Sequence, residues 1–206
     1  MRKIDKGTPM PSFSAFVASH RFAKWEDAKD VRRVWREYIL EYEQHGLSGY
    51  TEIPVRTENS HIDHFRKQSL YNALIFDWNN YIVDSIDETY GAKFKDNCVR
   101  TKADNERLIN PAAEDAGRFF KYELNGNIAV ADGLSKSDRE RADYTVSAFN
   151  LNEGSLVERR RIIINTILDS FSDLPDEVIL EALETEGFRS VVEQLLSERR
   201  EQEENI

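Results

Sequence analysis

Apolar residues recur at three- and four-residue steps between Glu26 and His45. Val31, Val34, Trp35, Tyr38, Ile39 and Tyr42 form one stripe, which predicts an amphipathic helix that Gly46 ends. Helical spacing makes that aromatic stripe core rather than a base-stacking surface. Ahead of it, residues 1–24 show no sustained period. Pro9 and Pro11 predict an extended arm, with Phe13 and Phe16 placed to tack it to the body. Leu47 to Arg56 reads as a turn leading into a short strand or hairpin arm.

The pattern then changes period. Ser60 to Phe65 predicts one strand, and Tyr81 to Val83, entered from Trp78-Asn79-Asn80, predicts a second; the connection between them is longer than a tight turn. Thr89 to Asn97 reads as a short helix, weakened by Gly91. Across 107–131, Asn110-Pro111 breaks the chain, Phe119, Phe120, Tyr122 and Leu124 approach alternation, and Asn125-Gly126 predicts a two-residue turn before Ile128 and Val130. From Ser135 the chain reads as helical. Ser137 with Glu140 predicts a capping box, a second helix runs from about Ser155 to Phe171, and Pro175 with Asp176 and Glu177 opens a third that ends near Gly187. Phe188 to Gln202 carries Val191, Val192, Leu195 and Leu196 on one side, and SERREQEENI is expected to fray. No internal repeat or low-complexity tract is present. One domain with a helical C-terminal extension follows, 1–134 and 135–206, with the boundary near Leu134.

Composition narrows the chemistry. The chain has 206 residues, 40% hydrophobic and 32% charged, so it holds enough apolar surface for one substantial core. No apolar run approaches the roughly 20 residues that span a bilayer, and no apolar h-region follows the basic start, so a cytoplasmic location is expected. Cys98 is the sole cysteine, which excludes intramolecular disulfides and cysteine-rich zinc sites. Any metal must therefore be held by His, Asp, Glu or Asn, a donor set that suits Mg²⁺, with Mn²⁺ as a competitor. The net charge of −10 is unlike that of a chain that binds nucleic acid alone.

Candidate chemistry concentrates between His61 and Asn97. Hydrolysis of a phosphodiester needs an activated water, positive charge at the phosphate and a rigid frame. His64 is of the type that accepts a proton from water, and Asp63 of the type that binds a metal. Neighbours on a regular strand point to opposite faces, so both reach one phosphate only where the strand ends or distorts. Asn80, opening the second strand, is suited to lock the intervening loop by bonding its backbone, because an amide both donates and accepts. His61 shares the face of Asp63. Lys93 and Lys95, taken singly, read as solvated surface residues.

The order of these parts resembles the ββα-metal fold of HNH endonucleases, with HIDHFRKQS as the first half-motif and DWNNYIVDS as the asparagine strand. With MRKIDKGTPMPSF, GLSGYTE, LINPAAED, LNGNIAVADGLS and RADYTVSAFNLN followed by an arginine-rich helix, the chain is similar over about 1–170 to the PtuB-type HNH nuclease subunits of Septu anti-phage systems, relatives of which accompany some retrons. The resemblance implies an α+β fold, with an HNH core embedded in a mainly helical domain that has a helical C-terminal extension. It implies a metal-dependent DNA endonuclease in which His64 is the general base, Asp63 a metal ligand and Asn80 the motif asparagine, with Asn79 the alternative if the register slips by one. His61 would orient Asp63 or the substrate. A divalent metal, Mg²⁺ or Mn²⁺, would stabilise the leaving 3′ oxygen. It also implies a PtuA-like ABC/SMC-type ATPase as partner, which would hold the DNA that this acidic chain does not. The C-terminal helices are the candidate docking surface, and Arg159, Arg160 and Arg161 are either phosphate contacts or a wet helix face.

Two departures stand out. Where many relatives carry a CxYC pair, this chain has Ser48, Gly49, Tyr50 and Thr51. The third motif position, usually His or Asn on the helix, has no direct counterpart: alignment on Lys93 brings Tyr90 or Ala92 there, and Asp87, Asp96 and Asn97 are the nearest oxygen donors. Asn97 or Asp96 is the favoured ligand. A degenerate HNH fold serving as a non-catalytic adaptor, or an RNA-directed nuclease, are the rival readings.

Overall fold

Two five-residue strands in the middle of the chain organise the protein. β1 (Ser60–His64) and β2 (Tyr81–Ser85) pair antiparallel, with Ser60 opposite Ser85 and His64 opposite Tyr81. β2 is buried along its whole length. Alternation along the strand sends Tyr81 and Val83 into one apolar cluster and Ile82 into another. The computed structural model describes residues 1–20 and 24–204 as an α+β fold, mainly helical, with two small antiparallel sheets. Residues 21–23 of the expected arm and 205–206 of the expected frayed end lie outside the described residues.

The arm is not extended throughout. α1 (Pro11–Ser19) starts on a proline, which the first helical turn tolerates because its N–H would have no partner there. Phe13 and Phe16 do fasten it: Phe13 packs edge-on to Trp35, Trp78 and Tyr81 at 5.1, 4.9 and 5.8 Å. Buried Glu43 adds a polar tie, pairing with Lys6 and accepting from the Gly7 amide and the Trp78 indole.

The helix expected from Glu26 is broken into a 3₁₀ turn over Trp25–Ala28 and α2 (Arg32–Tyr38), which runs on as a π turn over Ile39–Glu43. The π turn advances the chain by more residues per turn than the 3.6 assumed in tracing the stripe. Trp35, Ile39 and Leu40 are buried, whereas Val34 is 47% and Tyr42 61% exposed. Gly46, at φ +75°, sits where the chain turns away and donates to Leu40 O.

Beyond β2, α3 (Gly91–Cys98) begins on the glycine that weakened the expectation of a helix. Gly91 has φ +70°, and a Cβ there would lie 2.2 Å from Asp84 Oδ2, so the residue permits the close approach of helix to strand. α4 (Lys102–Glu106) follows. Then come β3 (Phe120–Tyr122) and β4 (Ile128–Val130), whose register puts Tyr122 opposite Ile128, so the connection is longer than a two-residue turn. α5 (Lys136–Ala148) is capped by Ser135, which accepts from the Asp138 amide; Ser137 lies inside the helix and makes no cap. α6 (Gly154–Asn165) continues through a π turn to Ser170, and α7 (Asp176–Ala182) and α8 (Arg189–Glu204) complete the chain. Residues 197–204 of the segment expected to fray belong to α8.

Both apolar clusters cross Leu134. One joins Trp35, Trp78 and Tyr81 to Ile163, Ile167, Val191 and Leu196; the other joins Tyr50, Phe65 and Ile82 to Phe119, Phe149 and Leu151. Arg160, in the middle of α6, is buried and donates to Gly126 O at 2.6 Å and Leu151 O at 2.7 Å, so it is neither a wet face nor free for phosphate. Among the described residues no helix is long and apolar enough to cross a membrane.

Candidate functional site

β1 ends at His64, and the end of the strand allows what a continuing strand forbids. Asp63 and His64, which regular alternation would send to opposite faces, border one cavity of about 320 Å³. His61, Lys67, Gln68, Ser69, Lys93 and Asp96 line it as well.

Asn80 holds the loop between the strands. Its Oδ1 accepts from the Arg66 amide at 2.7 Å, and its Nδ2 donates to Arg66 O and Leu74 O, both at 3.1 Å. One N–H and two carbonyls fix the orientation of the amide, and the side chain joins the two ends of the loop. Asn79 is exposed, and its own amide bonds Asp77. The lock is therefore Asn80.

His64 is 5% exposed. Its Nε2 meets the Ile75 carbonyl at 2.9 Å, and a carbonyl only accepts, which assigns the proton to Nε2. Nδ1 is then the basic nitrogen, and it accepts from the Gln68 amide at 2.9 Å on the cavity wall. Trp25 and Tyr81 abut the ring edge-to-face at 4.6 and 5.0 Å. Burial holds the imidazole below its ordinary pKa, against the opposing pull of the Ile75 carbonyl and Asp63. The ring is neutral at neutral pH and presents one fixed lone pair.

Asp63 is engaged differently from the expectation of a metal ligand. Both of its hydrogen bonds fall on Oδ2, one from Tyr50 Oη at 2.5 Å and one from Lys95 Nζ at 2.6 Å. Burial alone would raise its pKa; the charge and hydrogen bond of Lys95, the hydrogen bond from Tyr50 and the nearby His61 together outweigh burial and keep the carboxyl below its usual range. Lys95 is 0% exposed, which corrects its reading as a solvated surface residue. Lys93 is exposed but lines the cavity.

The remaining candidates divide. His61 borders the cavity, and its Nδ1 is buried without a hydrogen-bond partner. Asp96 borders it too, while its backbone carbonyl accepts from Lys67 Nζ at 2.7 Å. Asn97 is exposed, donates to Lys93 O at 3.3 Å and does not line the cavity. Tyr90 is buried in the apolar cluster around Trp35.

Ser48 and Thr51, in the segment that departs from the CxYC pattern, belong to a hydrogen-bonded cluster. Thr51 donates to the Ser48 hydroxyl, Ser48 donates to Asp84 Oδ1, and Asp84 Oδ2 accepts from the Ala92 amide at 2.6 Å. Burial pushes the Asp84 carboxyl above its ordinary pKa. These bonds tie the turn after α2, strand β2 and the start of α3 together, as a structural zinc would.

For a divalent cation the fit is poor. Among the described residues no group of three or more His, Cys, Asp or Glu side chains is arranged to hold a metal. The nearest cationic neighbour of Asp63 is an ammonium group at hydrogen-bond distance, so a dication there has to displace Lys95 or endure it.

Sequence reasoning missed Gln68, Tyr50 and Lys95. Lys95 left a trace, since it follows Gly91 and Ala92 on the face of α3 that is buried. Gln68 left none, because its role depends on the path of the loop. Compared with protein-family models and with curated proteins, the chain gives no match.

Proposed function

We propose that this chain is a phosphodiester hydrolase acting on DNA, with His64 as the general base of an HNH-like ββα unit formed by β1, β2 and α3. The observation that carries the reading is the fixed tautomer of His64: Nε2 is tied to Ile75 O, and the basic Nδ1 is turned to a cavity bordered by Lys67 and Lys93. In this reaction a water takes the place of the Gln68 amide at Nδ1. Its oxygen attacks phosphorus as its proton passes to His64, and the P–O3′ bond breaks. Lys67 and Lys93 offset the charge on the departing 3′ oxygen until it takes a proton from solvent. No step is routed through a metal, because the residues at Asp63 do not fit one.

The resemblance of HIDHFRKQS and DWNNYIVDS to Septu nuclease subunits extends the proposal to a catalytic subunit of an anti-phage complex with an ABC/SMC-type ATPase. The test is plasmid cleavage by the chain purified with that ATPase, with and without Mg²⁺. His64→Ala is expected to lower cleavage by about 10²–10⁴-fold, the usual contribution of a positioned base, while leaving assembly intact. Equal cutting by parent and variant refutes the assignment, and parallel digestion of RNA decides the substrate. One observation favours a second reading, a non-catalytic adaptor: Asp63 is committed to Lys95 and Tyr50. Equal phage protection by the parent and a His64→Ala, Asp63→Ala double variant supports that reading instead.

A further inference from the structure

We propose that Lys95 takes, at Asp63, the place of a divalent cation, so that the pocket carries a cation built into its own chain. Three oxygens from two parts of the chain surround the ammonium: Asp63 Oδ2 at 2.6 Å, His64 O at 3.4 Å and Asp96 Oδ1 at 3.7 Å. Asp63 and His64 come from the end of β1, and Asp96 from α3. An oxygen-rich shell of that kind suits any compact cation, and a lysine ammonium is a compact point charge.

The ammonium is fixed in place by the frame around it. α3 is drawn onto β2 by the bond from the Ala92 amide to Asp84 and by the close approach at Gly91, and this brings Lys95 beneath the end of β1. Tyr50 Oη donates to the same Oδ2, so that oxygen already has two donors. The charges agree as well. Lys67, Lys93 and Lys95 supply three ammonium groups at the site against the two carboxylates of Asp63 and Asp96, and a dication would add to a surplus of positive charge. The burial of Tyr90 in the apolar cluster around Trp35 and the exposed position of Asn97, both outside the cavity lining, fit a site without a third ligand.

The inference deepens the phosphodiester reading and rests on it for its catalytic meaning, but its test reads metal binding directly. Mn²⁺ is titrated into the intact chain and followed by electron paramagnetic resonance, for the parent, Asp63→Asn, Lys95→Met and the Lys95→Met, Asp63→Asn pair. The parent is expected to show no site that Asp63→Asn removes. Lys95→Met is expected to gain one site, bound about tenfold or more tightly than anything in the parent, and the paired variant to lose it. A stoichiometric site in the parent that Asp63→Asn abolishes overturns the proposal, as does a folded Lys95→Met chain that gains nothing. Should Lys95→Met fail to fold, the parent and Asp63→Asn still decide. Cleavage of DNA in excess EDTA, assayed separately, distinguishes the two readings: no cleavage under any condition sinks the hydrolase and leaves the Mn²⁺ result standing.

Discussion

Replacing Asn80 tests the frame on which the chemistry depends. Asn80→Ala removes three hydrogen bonds at 2.7, 3.1 and 3.1 Å and takes the side-chain partner from the Arg66 amide and the Arg66 carbonyl, while Leu74 O keeps only the Asp77 N–H at 3.3 Å. At about 1 kcal/mol net for each bond, the loss is about 3 kcal/mol. For a chain of this size that corresponds to a fall in melting temperature of about 6–12 °C. Asn80→Asp separates acceptor from donor: it keeps the contact to the Arg66 amide but faces carboxylate oxygen toward two carbonyls. Its deficit is therefore expected to exceed that of Asn80→Ala at neutral pH and to shrink in acid, where a protonated carboxyl donates again. The loop also supplies Ile75 O and Gln68, the two partners of the His64 ring, so cleavage is expected to fall with loop order. Calorimetry with amide exchange over Arg66 to Leu74 reads the frame, and plasmid cleavage reads the consequence. If Asn80→Ala melts with the parent and keeps its exchange protection while cleavage collapses, Asn80 acts on the substrate and the frame argument is refuted.

Gln68→Ala removes a donor that favours the neutral imidazole, so the His64 pKa is expected to rise in an NMR titration; an unchanged or lower value contradicts the assigned tautomer. In the parent, burial lowers that pKa, and the sign follows: the stabilisation from a neutral His64 is complete above the ordinary value of 6.5 and is lost as pH falls through the depressed one. Stability is therefore expected to rise with pH across that window, a slope that His64→Gln flattens in urea titrations, and the acid limb of cleavage should lie below 6.5. Arg160→Met breaks two charge-assisted bonds to the carbonyls of Gly126 and Leu151 and is expected to cost about 3 kcal/mol in urea unfolding. DNA affinity should not change; a loss of affinity in a stable Arg160→Met chain would return Arg160 to the phosphate contacts.

What was legible followed from local pattern. The two strands, their order around His64 and Asn80, and the loop-locking role of Asn80 are visible in sequence because alternation and amide chemistry act over a few residues. Length and period were less legible: a π turn after Tyr38 shifts the register of the stripe, and Val34 and Tyr42, on pattern core residues, point to solvent. The least legible parts depend on approach between distant segments. Lys95 meets Asp63 across 32 positions, and Arg160 meets Gly126 across 34, so burial of both cations is decided by packing that no short window contains. Arg160 shows the same limit in reverse, since an arginine run that reads as a wet face holds one member with partners only the fold supplies.

The charge of the chain sets how such a site meets DNA. A net charge of −10 repels a polyanion as a whole, while Lys67 and Lys93 present positive charge only at the cavity. Lys95 adds nothing to that attraction, because Asp63 neutralises it at 2.6 Å. Binding through two phosphate contacts releases few counterions: at about 0.9 per phosphate, the slope of log affinity against log salt is about −2 for the isolated chain. A partner that carries the DNA adds its own contacts, so the complex is expected to show a steeper slope and a higher affinity. Fluorescence anisotropy of labelled duplex over a salt series measures both. A slope for the isolated chain as steep as that of the complex would mean that this chain grips DNA over a surface much larger than the cavity and needs no partner to hold its substrate.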